Sequence, residues 1–94
     1  MPEQEAKEQT SNFSFIDYWD SLTPKDRRAY MDRAGISESF TRQHLRPEDP
    51  LVRKMPSVQT FRRLIRGSEG KIDVNGAINF FYRDKILAEL HFED

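Results

Sequence analysis

The sequence predicts an all-α fold, a single compact domain of four to five helices. Three observations predict it. Apolar residues recur at three- and four-residue spacing in several short stretches, the period of one helix face. A hydroxyl residue or an Asp stands just before most of these stretches, where its oxygen can accept from the free amides of a first helical turn. Glycines follow several of them, as expected where a chain leaves a helix through a left-handed residue. With 94 residues, the chain has the length of one domain with a modest core. Hydrophobic residues make up 36% and charged residues 33%, so seven Phe, three Tyr and one Trp must supply much of the core volume.

Residues 1–12, MPEQEAKEQTSN, are polar and aperiodic and read as a mobile tail; residues 13–94 form the domain, including a C-terminal helical extension. Ser14 caps a first helix over 15–21, with Phe15, Ile16, Trp19 and Leu22 on its apolar face. Thr23, Pro24 and Asp26 then make a capping-box-like start to a second helix. That helix runs to Ala34, with Ala29, Tyr30 and Met31 inward, and Gly35 ends it. Ser37 caps a third helix over 38–45, anchored by Phe40 and Leu45. Three prolines in RPEDPLVRKMP, residues 46–56, make a long loop with Leu51, Val52 and Met55 free to tuck beneath it. Ser57 opens a fourth helix through Arg66, with Val58, Phe61, Leu64 and Ile65 as its apolar stripe, and Gly67 closes it. After the GSEGKID turn, in which Lys71 and Ile72 can lie extended, Asp73 caps a fifth helix with Val74, Ala77, Ile78 and Phe81 inward. In YRDKILAELHFED, the apolar Tyr82, Ile86, Leu87 and Leu90 keep helical spacing. They suit a closing core helix or a dimer seam that also uses Phe92.

The net charge of −1 hides a strong segregation. Residues 1–24 carry −4, residues 25–66 carry +6 and residues 67–94 carry −3. A basic middle between acidic ends suits a surface that faces phosphates. Cysteine is absent, so disulfides and thiolate zinc sites are excluded. No apolar run is long enough to span a membrane, and the acidic start lacks the pattern of a signal peptide, so a cytoplasmic address is the default expectation.

Two helices joined by so short a glycine turn have the order of a helix-turn-helix over 23–46, carried by TPKDRRAYMDRAGISESFTRQHL. In that geometry the second helix turns its polar face to the major groove. Its base-reading candidates are Ser37, Glu38, Ser39, Arg42, Gln43 and Arg46. Arg suits guanine, Gln suits adenine, and Glu38 either accepts from cytosine or repels phosphate. Lys25, Arg27, Arg28, Arg53 and Lys54 are candidates for phosphate contacts, which set register and salt dependence but read no sequence.

The FIDYWDSLTPKDRR opening, the RAGIS turn, Pro56–Ser57 and the GKI of Gly70 to Ile72 follow one another in an order that resembles the Cro and phage-repressor type of helix-turn-helix. The likeness covers roughly residues 13–82. It implies a lambda-repressor-like domain acting as a homodimer on a palindromic operator, as in short bacterial and prophage regulators. The chain departs from that pattern at Met31, where alanine is usual, at Thr41, where an apolar residue is usual, and in the long proline loop.

The expected function is therefore a sequence-specific regulator, a repressor, that binds double-stranded DNA. A protein-interaction adaptor on the same scaffold is the alternative. No enzyme, cofactor, metal or small-molecule substrate is expected. Asp17 and Asp20 are the only local acidic pair of interest, and His44 and His91 lack the company of other ligands.

Overall fold

Each helix of the structure starts on the cap residue that the sequence marks. In the computed structural model, which describes residues 13–92, Ser14 Oγ accepts from the Asp17 amide at 3.3 Å and Thr23 Oγ1 from that of Asp26 at 3.2 Å. Ser37 and Ser57 do the same for Phe40 and Thr60 at 3.2 and 3.1 Å, and Asp73 Oδ2 accepts from Gly76 at 2.7 Å. Such caps stabilise a helix by about 1 kcal/mol each, because they satisfy an amide with no partner inside the helix.

The helices are α1 (Phe15–Ser21), α2 (Pro24–Ala34), α3 (38–45), α4 (Val58–Gly67) and α5 (74–92). In α3 the Glu38–Phe40 turn continues as a π turn over Thr41–Leu45, and α5 holds a second π turn at Asn79–Arg83 between Val74–Ile78 and Asp84–Phe92. The fold is all-α. The one departure among the described residues is a single parallel bridge between Phe13 and the extended Ile72. The tail expected at 1–12 lies outside the described residues.

The core is largely aromatic. Phe15 lies 6.0 Å from Trp19, 6.0 Å from Phe80 and 5.0 Å from Phe81, and Tyr18 meets Tyr30 edge-on at 5.0 Å. Two hydrogen bonds bind α2 to α4: Tyr30 Oη donates to the Leu64 carbonyl and Arg33 Nε to the Gly67 carbonyl, both at 2.8 Å. The helices approach closely at Gly67, where a Cβ would lie 3.1 Å from that of Ala34. Gly67 is therefore not the left-handed closing residue that the sequence suggests. The chain turns two residues later, at Glu69 and Gly70, with φ of 55° and 88°.

Several side chains face otherwise than their spacing predicts. Phe40 is 41% exposed, and Thr41 takes its inward place together with Leu45. Ala29, Val58, Val74 and Ile78 are exposed. So are Leu51, Val52 and Met55; the loop buries Arg53 and Pro56 instead. Three groups of bonds hold that loop down. The Lys54 amide donates to the His44 carbonyl at 2.7 Å, Tyr82 Oη to Pro56 at 2.8 Å, and Lys85 Nζ to Pro50 and Leu51 at 3.2 and 3.3 Å.

Candidate nucleic-acid interface

Gly35 forms the joint between α2 and α3. Its φ of 72° lies in the left-handed region, and its amide and that of Ile36 both donate to the Met31 carbonyl. The turn is locked from inside by Thr41, which is fully buried and donates from Oγ1 to the Ser37 carbonyl at 3.0 Å, with Met31 Sδ at 3.2 Å. Met31 on α2 and Thr41 on α3 thus touch each other across the joint, and the Thr41 hydroxyl is satisfied within its own helix.

With Thr41 and Leu45 buried, the outer face of α3 is Ser39, Phe40, Arg42 and Gln43, all exposed. Phe40 is a member of this face that spacing alone misassigns; its ring packs on that of His44 at 5.0 Å. Polar contacts along the helix pre-order the other three. Arg42 Nη2 donates to Glu38 Oε2 at 2.7 Å, and Gln43 Nε2 approaches Ser39 Oγ at 3.5 Å. Ser37 is committed as the cap. Arg46 leaves the face: its guanidinium grips both carboxylate oxygens of Asp20 in α1, at 3.3 and 2.9 Å. That bond also separates the acidic pair Asp17 and Asp20, since Asp20 is engaged and Asp17 is exposed.

The phosphate candidates divide similarly. Lys25, Arg28 and Lys54 are exposed. Arg27 is half-buried, with Nε donating to the Trp19 carbonyl at 3.1 Å and the guanidinium 5.2 Å from the indole ring centroid. Arg53 must be removed from the set. It is 1% exposed, its guanidinium stacks 3.6 Å from the Phe80 ring centroid, and Nη1 donates to the Pro47 and Glu48 carbonyls. A planar cation of this kind packs on an aromatic face and is then unavailable to DNA.

Arg62, Arg63 and Arg66 stand outside the candidates that the sequence marks. With Gln59 they line a hollow of about 250 Å³ on α4. The ion pairs among the described residues involve Arg33, Arg42, Arg46 and Lys85, and none of this trio. Membership of the +6 segment was the signal for them. No group of three or more His, Cys, Asp or Glu side chains among the described residues is arranged to hold a metal. No helix among them is long and apolar enough to cross a membrane.

Comparison with protein-family models, curated proteins and solved structures returns no match.

Proposed function

We propose that this chain is a sequence-specific DNA-binding regulator of the repressor kind, which lays α3 in the major groove and acts as a homodimer on operator-like DNA. One observation carries the reading. A left-handed Gly35 joins α2 to α3, and the inward anchoring of Thr41 and Leu45 leaves Ser39, Arg42 and Gln43 as an exposed polar face. Arg42 and Gln43 are the base readers, Phe40 is suited to a thymine methyl, and Lys25, Arg28 and Lys54 take phosphates. Glu38 holds Arg42 at 2.7 Å in the free protein, so it either orients that fork toward guanine or penalises wrong bases.

Salt titration of DNA binding tests the proposal. Three phosphate contacts per protomer make six per dimer, so log K should fall with log salt at a slope of about −5, and affinity should drop about a thousandfold between 50 and 200 mM. An affinity indifferent to salt favours the adaptor reading, which draws support from the apolar side chains exposed on α4 and α5. Arg42→Ala should cost about 1–3 kcal/mol of discrimination between selected and random DNA with the fold intact. Equal loss on all sequences would demote Arg42 to a phosphate contact.

A further inference from the structure

Three arginines crowd one face of α4, and the helix itself offers nothing to balance them. Gln59, Arg62, Arg63 and Arg66 stand at i, i+3, i+4 and i+7, the spacing of a single face. Arg66 lies four residues from Arg62 and three from Arg63, where like charges repel. The helix dipole accounts for Arg66 alone, which stands in the last turn; Arg62 and Arg63 stand mid-helix, beyond its reach. No acid occurs within Val58–Gly67. The acids that form ion pairs among the described residues serve other cations: Glu69 pairs with Arg33, Glu38 with Arg42, Asp20 with Arg46 and Glu89 with Lys85. All three arginines are exposed, and with Gln59 they line one hollow of about 250 Å³.

We infer that this hollow is a binding site for a compact oligophosphate, an anion of two or three linked phosphoryl groups. The planar guanidinium fork matches phosphoryl oxygens two at a time, and the Gln59 amide adds a further donor. Size favours a small anion, because about 250 Å³ falls just below the roughly 300–1,000 Å³ of clefts that enclose drug-sized ligands. Charge favours several phosphoryls in one place. A nucleic-acid phosphodiester brings a single negative charge, which leaves two of the three arginines unbalanced. An oligophosphate adds a terminal phosphoryl of about −1.5 to −2 to the charge of its bridging groups, and so matches all three. This ligand goes beyond the DNA reading and does not depend on it.

Isothermal titration calorimetry of the full chain with inorganic triphosphate, without DNA or divalent metal and at fixed ionic strength, tests the site. One triphosphate should bind per chain, at least about tenfold more tightly than orthophosphate, since a further charge-assisted hydrogen bond is worth about that factor. Arg62→Gln with Arg63→Gln should weaken triphosphate binding at least about tenfold on the same ground. Lys71→Gln with Arg83→Gln removes as much charge from exposed residues that do not line the hollow. That variant should stay within about threefold of wild type, because salt screens exposed charges outside the site. Circular dichroism checks that both double variants keep their helices. A chain that shows no saturable binding up to millimolar triphosphate overturns the inference. So does an equal loss in both double variants, which would mean attraction to net charge alone, or orthophosphate binding as tightly as triphosphate. Random-sequence duplex DNA supplies the last arm. A duplex that displaces triphosphate and loses as much affinity in the arginine variant would assign the hollow to a nucleic-acid backbone and overturn the inference as well.

Discussion

Arg53 brings a guanidinium into a site with 1% exposure and no carboxylate bonded to it. Burial pushes its pKa down, opposed by the charges of Asp84 and Asp49. Nε is left without a partner, so Phe80 and two loop carbonyls carry the stabilisation. Arg53→Ala should therefore cost about 3 kcal/mol in urea unfolding, as a large buried truncation does. Arg53→Met should recover more than half of this by filling the space without a charge to desolvate, and neither change should alter the salt slope of DNA binding. The tyrosines supply a pH test. Burial raises the phenol pKa of Tyr18, Tyr30 and Tyr82 above the ordinary 10. Above pH 10 the unfolded chain loses phenolic protons that the folded chain keeps, so stability is full below pH 10 and falls as pH rises beyond it. Tyr30→Phe should flatten that fall. It should also cost about 1 kcal/mol at neutral pH, because the Leu64 carbonyl loses its donor. Unfolding midpoints at pH 8 and 11 measure both effects.

At the scale of elements, two glycines act for different reasons. Gly35 has a φ of 72° and open space where a Cβ would stand, with nothing within 4 Å. Gly35→Ala should thus cost about 1–2 kcal/mol through backbone strain alone, and Gly35→Asn should cost less. Gly67 lies within α4, where alanine would gain about 1 kcal/mol of helix propensity. Its added Cβ would meet Ala34 Cβ at 3.1 Å and the Ala34 amide nitrogen at 3.2 Å. The two bonds from Tyr30 and Arg33 keep α2 and α4 from separating freely. Gly67→Ala should therefore destabilise on balance by about 1 kcal/mol in the same urea assay, the reverse of what propensity predicts. The caps and helix order were legible from the sequence because a cap joins residues only three apart. The role of Gly67 was not, because the residue it packs against, Ala34, lies on a different helix, far back along the chain.

Over the whole molecule, the basic middle of the sequence does not form one uniform surface. Arg53 goes into the core, Arg46 reaches α1, and Arg62, Arg63 and Arg66 line a hollow on α4 while Arg42 stands on α3. In the proposed reading, base readers and phosphate contacts should differ in kind. Lys54→Ala should weaken binding about equally on selected and random DNA and, by removing two contacts per dimer, make the salt slope shallower by about 2. Arg42→Ala should weaken binding chiefly on selected DNA. Gel-shift titrations on the two DNAs at several salt concentrations distinguish these outcomes.

Helix starts, their order and the all-α class come from local chemistry: hydroxyls and an Asp that bond three residues ahead, and apolar residues spaced for one helix face. Spacing also marks the inward Phe15 and Trp19 of α1, Tyr30 and Met31 of α2 and Leu64 of α4; tertiary structure decided the inward set of α3 and the outer end of α5. Phe40 yields its place to Thr41, whose hydroxyl lies against Met31 and is satisfied by the Ser37 carbonyl. In α5 the π turn at Asn79–Arg83 accommodates both Phe80 and Phe81 in the core and leaves Ile86, Leu87 and Leu90 exposed, because an added residue in one turn rotates everything beyond it. Arg53 follows the same rule. Its sequence neighbours mark it as a loop cation, but the aromatic face that buries it comes from Phe80, far along the chain.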